Sequence, residues 1–379
     1  MTLPILTTTP SQADVQTIHA GLPSEPVKAH LLDWSTEALA KWLVEHGQKP
    51  FRAKQIRRWI YQGRVTSFDA MTDLPAALRR QLEDSFELFV ARDVVVSSSR
   101  DGTEKLLIEL AGGGEVECVL LRDGTRRSIC VSSQVGCAMG CVFCASGLDG
   151  VERNLTQGEI VEQMLRLQRR LPPDERLSHI VMMGMGEPLA NLPRVLAALS
   201  DAKAKDGLGI SPRRITISTV GLPTAIDKLA KSGVPYNLAV SLHAPNDTLR
   251  SQIVPVNQRI GIEAVLAAAD RYFDASGRRL TFEYVLLGSI NDRDEHADEL
   301  ARHLRNRNVL LNIIPYNPVD GLPYRTPTSN AIARFRSILE NAGVNIKFRQ
   351  RKGDEIEAAC GQLRRNRTKS QTNELKTFS

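Results

Sequence analysis

From Ser128 onward the chain alternates short apolar, β-branched runs with longer helical stretches, and this alternation restricts the fold more than any other feature. The runs Ser128–Ser133, Ile180–Met185, Ile215–Thr219, Asn237–His243, Thr281–Leu287 and Val309–Ile314 read as strands. One of the intervening helices opens on Thr156-Gln-Gly-Glu159, a capping box in which side chain and backbone satisfy each other's first-turn amides. Strand–helix alternation predicts an α/β fold, with a parallel sheet and helices outside it. Six such units are too few for a closed eight-fold barrel, so an open, partial (β/α)6 barrel is expected. In such folds chemistry sits at the C-terminal ends of the strands.

The chemistry-bearing stretch runs from Ser128 to Ser146. Cys137, Cys141 and Cys144 stand there at the spacing C-x-x-x-C-x-x-C, just after the first strand. Thiolates are soft ligands suited to iron–sulfur clusters, zinc or cuprous copper. A structural zinc site wants a fourth ligand close by, and none follows at matching spacing. An iron–sulfur cluster on this loop would keep one iron open for a ligand. The chain has six cysteines among 379 residues, too few for a disulfide scaffold, so motif-spaced thiols read as metal-binding or catalytic in a reducing compartment. No apolar run is long enough to span a bilayer, and the start of the chain lacks a signal pattern; the cytoplasm is the expected compartment. A net charge of +6 permits an anionic partner such as RNA without showing one.

The rest divides by pattern. Residues 1–28, rich in Thr, Pro and Ser, read as a flexible tail. Residues 29–90 are helical: Leu39, Trp42 and Leu43 repeat at helix spacing, as do Ile56, Trp59 and Ile60. Arg52, Lys54, Arg57 and Arg58 make the second of these helices basic, either a solvated face or a phosphate-docking one. Residues 91–127 read as a hairpin extension turning at Ala111-Gly-Gly-Gly-Glu115; Glu117, in its second arm, is by default an exposed strand carboxylate. The barrel is expected over 128–363, and 364–379 as a basic flexible tail.

Within the barrel, Gly184-Met-Gly-Glu-Pro188 follows the second strand. Its glycines allow close backbone approach to a ligand, and Glu187 can accept from an ammonium group; a plain tight turn is the alternative. Ser218, Ser241-Leu242-His243 and Asn317 fall at the mouths of later strands, each an ordinary residue taken alone. A further helix is expected from Thr328 to about Asn341, then a strand over Asn345–Arg349. Cys360, far from the cysteine loop in sequence, would by itself be a free buried cysteine, and Cys118 is read as structural.

The three-cysteine motif with Phe143 before its last cysteine, inside the longer string Cys130-Val-Ser-Ser-Gln-Val-Gly-Cys137, resembles the RlmN/Cfr family of radical S-adenosylmethionine (SAM) RNA methyltransferases. The resemblance extends from about Leu31 to Leu363. Lys49-Pro-Phe-Arg-Ala-Lys-Gln-Ile56 is similar to the family's N-terminal domain and tips the basic helix toward RNA. The resemblance implies a [4Fe–4S] cluster on Cys137, Cys141 and Cys144. It implies SAM contacts from Gly186, Glu187, Ser218, Ser241, Leu242, His243 and Asn317. It makes Cys360 the methyl-carrying residue, Cys130 the partner that resolves it through a transient disulfide, and Glu117 the proton acceptor. The implied reaction is methylation of carbon 2 of an adenosine in large-subunit ribosomal RNA, with transfer RNA as a second substrate. The alternative is carbon 8, as in the Cfr branch, although Gly186-Glu-Pro188 looks more like the RlmN branch. An electron donor such as flavodoxin, a monomeric state and no membrane partner complete the expectation. Two other classes compete: a cluster-bearing RNA-binding protein without turnover, and a radical SAM enzyme with a non-RNA substrate.

Overall fold

The structure, a computed structural model, describes residues 28–349 and 353–363. Nearly all of the first expected tail, the whole of the second, and Arg351 and Lys352 before the Cys360 segment lie outside the described residues.

Three helices, α1 (Thr36–Glu45), α2 (Arg52–Tyr61) and α3 (Ala76–Ser85), form the N-terminal unit. Ser35 caps α1, its hydroxyl oxygen accepting from the Ala38 amide at 3.1 Å. Leu39, Trp42, Leu43, Ile56 and Ile60 are buried, as their spacing predicts. Arg57 departs from the expected basic face. It is buried and pairs with Asp201 at 2.9 Å, while its Nε lies 3.5 Å from Asp206. The Tyr61 hydroxyl and the Gln157 amide also donate to Asp201, at 3.2 and 2.9 Å. A guanidinium in the sequence of a surface helix is thus a docking pin between this unit and the barrel.

Ten strands form one sheet: β1 (Arg92–Ser98), β2 (Glu104–Glu109), β3 (Glu115–Asp123), β4 (Arg126–Cys130), β5 (His179–Met182), β6 (Ile215–Thr219), β7 (Asn237–Ser241), β8 (Leu280–Leu286), β9 (Val309–Pro315) and β10 (Ile346–Phe348). Neighbours in sequence are neighbours in the sheet. Pairing is antiparallel from β1 to β4 and parallel from β4 to β10. The hairpin is therefore no appendage: β3 pairs directly with the first barrel strand and extends its sheet. The parallel part is the open barrel, with β10 as a short seventh strand.

Helices α4 (Gln157–Arg169), α5 (Leu192–Lys203), α6 (Pro223–Lys231), α7 (Asp247–Ile253), α8 (Ile262–Ser276), α9 (Asp294–Leu304) and α10 (Ser329–Asn341) supply the connections. The capping box at Thr156 forms: its hydroxyl accepts from the Glu159 amide at 3.2 Å, and Glu159 accepts from the Thr156 amide at 2.8 Å. Several strands stop earlier than their apolar runs. The first ends at Cys130, the second at Met182 and the fourth at Ser241. The leftover residues turn over the strand ends, and Met183, Gly184 and His243 line the cavity there: Gly184 donates to the Val131 carbonyl at 3.1 Å, and His243 adopts φ +61°. Among the described residues no helix is long and apolar enough to cross a membrane.

Candidate active site

The register of the sheet gathers the chemistry on one face. Lys105 lies opposite Val119, Val119 opposite Cys130, and Cys130 opposite Val181. Cross-strand partners point the same way, as do residues two apart, so Lys105, Glu117 and Cys130 share a face. The same parity runs through Thr216 and Ser218 to Ala239 and Ser241, then to Glu283 and Asn312. At the C-terminal ends of the parallel strands this face opens into a cavity lined by the three motif cysteines, the glycine turn and Cys360.

Cys137, Cys141 and Cys144 line one wall. Their loop is held by backbone bonds: Cys137 to the Gly150 carbonyl at 2.8 Å, Val142 to that of Ile253 at 3.1 Å, and Ala145 to that of Gly361 at 2.8 Å. Burial pushes the Cys137 thiol up to about 12 and raises Cys141 and Cys144 as well; Cys144's charge adds to the rise at Cys137 and Cys141, and Cys360's to that at Cys144. Three half-buried thiolates on one loop are stable only around compensating positive charge, which a metal centre provides. Among the described residues no group of three His, Cys, Asp or Glu side chains is already arranged to hold a metal ion. The three thiols share the wall without converging.

The opposite wall comes from the turn after β5. Gly186 has φ +98°, and a Cβ there would meet Gln134 at 2.6 Å; one on Gly184 would meet Ser132 at 2.6 Å. Only glycine fits at either position. The turn places Glu187 at the cavity, 3% exposed, with its carboxylate accepting from the Leu189 amide at 3.0 Å and the Val220 amide at 2.7 Å. Burial raises Glu187 to about 7 despite those donors. An ammonium group beside it would restore the carboxylate. SAM carries such a group; if that group sits here, SAM affinity should fall roughly tenfold from pH 8 to pH 6 as Glu187 takes up a proton. Equilibrium binding checks this, and Glu187→Gln should flatten the dependence.

Ser218, Ser241 and Asn317 also line the cavity. The Asn317 Oδ1 is buried and lacks a hydrogen-bond partner among the described residues, so the site holds an acceptor that a ligand donor could satisfy. His243 lines it too; its Nδ1 accepts from the Val285 amide at 3.0 Å and its ring meets Phe143 edge-on at 4.8 Å. Burial lowers His243 to about 3, so the ring is neutral near pH 7. Leu242 lies behind the wall, fully buried.

Cys360 reaches the cavity from the far end of the chain. Its segment is fastened on three sides. Gly361 accepts from Ala145, and Ser146 donates to the Leu363 carbonyl at 2.6 Å. Asn317 donates to the Cys360 carbonyl at 3.4 Å, and Gln362 to that of Pro318 at 2.9 Å. The β1–β2 hairpin holds the third side, Gly353 donating to Asp101 at 3.0 Å.

Cys130 and Glu117 lie on the same sheet face but off the cavity wall. Cys130 is buried, raised to about 12 by burial first and then by the nearby Cys360 charge, against the pull of Arg349. The six cysteines carry no disulfide. Cys118, on the opposite face, is fully buried core. Glu117 is not the exposed carboxylate its place in a hairpin suggests: it is 3% exposed and paired with Lys105 at 2.9 Å. Sequence reasoning also passed over Glu283 and Arg349, which share the cavity with Cys360. Asn312 donates to Glu283 at 2.7 Å, and Arg349 is held charged chiefly by Cys360 and then by Glu283. Their one sequence signal is strand parity, legible only once the register is known.

Comparisons with known proteins fit this geometry. Residues 29–88 match the family described as the ribosomal RNA large subunit methyltransferase N-terminal domain, and residues 131–301 match the radical SAM superfamily. A probable dual-specificity RNA methyltransferase RlmN of Rhodopirellula baltica is 74% identical over 97% of this chain and 96% of its own length. The protein of the same name from Symbiobacterium thermophilum is 45% identical over 93% of this chain and 94% of its own length. A crystal structure of a radical SAM methyltransferase from Sphaerobacter thermophilus superposes with a TM-score of 0.86 at 43% identity, covering 89% of this chain and 99% of that one.

Proposed function

The chain belongs to the RlmN family of radical SAM RNA methyltransferases, and on that premise we propose that it methylates carbon 2 of an adenosine in large-subunit ribosomal RNA, with transfer RNA as a second substrate. The observation that carries the reading is the shared cavity of Cys360 and the three motif cysteines, joined from opposite ends of the barrel. Bound there, a [4Fe–4S] cluster on Cys137, Cys141 and Cys144 together with SAM supplies a methyl donor and the one-electron chemistry that an unreactive ring carbon needs.

The protein's own residues do the rest. Glu187 and Gly186, with Ser218, Ser241, His243 and Asn317, hold SAM by its polar ends, while Leu242 contributes from behind the wall, through its backbone and packing. Cys360 takes a methyl group on its sulfur and presents it to the base, which leaves its stack to reach the site. Glu117 accepts the proton lost from the ring carbon. Cys130 attacks the Cys360 sulfur, forming a transient disulfide as the carbon–sulfur bond to the product breaks. The basic residues of α2 that remain outside the core hold RNA phosphates. A flavodoxin-type electron donor, a monomeric state and a cytoplasmic setting belong to the same proposal, as does the division into a helical unit over 29–90, a hairpin over 91–127 and the barrel over 128–363.

The test is anaerobic incubation of the reconstituted enzyme with SAM, a reductant and unmodified ribosomal RNA, followed by digestion and mass spectrometry. 2-Methyladenosine is expected; 8-methyladenosine would move the enzyme to the Cfr branch, and RNA without a new methyl group would refute the substrate. Cys130→Ala should leave RNA covalently joined to Cys360. A denaturing gel without that adduct removes Cys130 from the resolving role.

A further inference from the structure

Lys105 is a buried cation that neither the motif nor the fold requires. Its side chain is 10% exposed and that of Glu117 is 4% exposed, with the Nζ–Oε1 separation at 2.9 Å. The same ammonium donates to the Glu357 carbonyl at 3.2 Å. It therefore touches the side chain of the proposed proton acceptor and, three residues before Cys360, the backbone of the segment that carries the methyl group.

The pair is diagonal across the β2–β3 ladder, since Lys105 lies opposite Val119 and Leu107 opposite Glu117. Glu104, next in sequence, points to the other face and is engaged by Arg122 and Arg170, each at 2.6 Å. It does not compete for Lys105. A buried ion pair is a poor device for stability, because desolvation of both charges offsets their attraction, and apolar replacements are often no worse. The cross-strand neighbours on the same face, Val119 opposite Lys105 and Leu107 opposite Glu117, are apolar and buried, so an apolar pair would pack here. A role in chemistry accounts for the charges better than a role in packing.

We propose that Lys105 is a positioning residue for the methyl transfer: it keeps Glu117 ionised inside the sheet, aims its carboxylate, and fixes the Cys360 segment against the same point. The inference rests on the reading of Glu117 and Cys360 given above. The proton step is simple in its balance. Glu117 begins as a carboxylate, takes one proton from the ring carbon and leaves that bond's electrons with the substrate. The double attachment of Lys105 sets the distance between acceptor and methyl carrier, which matters because small misplacements of reacting groups cost large factors in rate.

The experiment compares wild type, Lys105→Gln and Lys105→Arg as full-length reconstituted enzymes. Lys105→Gln keeps a donor and drops the charge, so it tests the charge with little disturbance to packing. RNA methylation should fall by about a hundredfold or more in Lys105→Gln, and the acid limb of its pH–rate profile should move to higher pH, because a buried carboxylate without its ammonium takes up a proton more readily. Lys105→Arg should recover part of the rate and keep the wild-type acid limb. A purely structural lysine would not move that limb. Iodoacetamide labelling of Cys360 supplies a readout independent of turnover: the loosened segment in Lys105→Gln should react several-fold faster. A Lys105→Gln enzyme within threefold of wild type, with an unmoved acid limb, overturns the proposal. If wild type itself transfers no methyl group to RNA, the functional reading fails, and labelling alone decides: faster reaction supports the role of Lys105 and unchanged reaction ends it.

Discussion

Cys360→Ala is expected to reduce methyl transfer to RNA at least about a thousandfold, with cluster assembly and SAM binding preserved. The segment is held through backbone carbonyls of Cys360, Gly361 and Leu363 and through the Gln362 side chain, none of which the substitution touches. Cys360 is only partly buried, so loss of its sulfur leaves no closed cavity of consequence. Stability should therefore stay within about 1 kcal/mol of wild type. Cys360→Ser should be as inactive, because a hydroxyl lacks the nucleophilicity of a thiolate towards a methyl donor. Counting methyl groups from labelled SAM separates the two losses expected here, one on the protein and one on the RNA. Methylation of RNA within tenfold of wild type would remove Cys360 from the reaction.

Much of this site is legible in the sequence alone. The cysteine loop, the glycine turn at Gly184 and the strand-mouth residues announce themselves because they are local: a spacing, a turn and an end. Strand–helix alternation gave the barrel because each unit carries its own period. What stayed hidden depends on register or on distant partners. Glu117 reads as an exposed hairpin carboxylate until Lys105, on the neighbouring strand, is seen to cover it. Arg57 reads as part of a basic face, since the carboxylate that buries it, Asp201, is 144 residues away. Glu283 and Arg349 look like ordinary strand residues, and only parity along β8 and β10 turns them toward Cys360. Pairwise burial of charges is a tertiary property, and no single window of sequence contains it.

Arg250→Met is expected to destabilise the barrel by about 3–5 kcal/mol, since several buried neutral acceptors lose a charged donor at once, each at a cost of about 1–3 kcal/mol and not additively. Arg250 lies in α7, an ordinary-looking short helix, yet is fully buried. Its Nε donates to the Leu242 carbonyl at 3.0 Å, and its Nη2 to those of Val220 and Ser241 at 2.6 and 3.0 Å. Its Nη1 donates to Asn257 Oδ1 at 2.5 Å. One side chain thus ties the mouths of β6 and β7 together. The ties continue into the site. The Val220 amide donates to Glu187, and the Ile253 carbonyl at the end of α7 accepts from Val142 in the cysteine loop. Methionine matches the stem of arginine but supplies no donor, so three carbonyls and one amide oxygen lose their partner in a dry interior. Urea unfolding of the reconstituted enzyme measures the loss, and SAM affinity should drop with it because Val220 no longer holds Glu187 in place. Arg250→Lys, which can satisfy one or two of the acceptors, should fall between wild type and Arg250→Met. A loss below 1 kcal/mol with unaltered SAM binding would mean that the strand mouths are held by the sheet alone, and that the network around Arg250 has no part in shaping the cofactor wall.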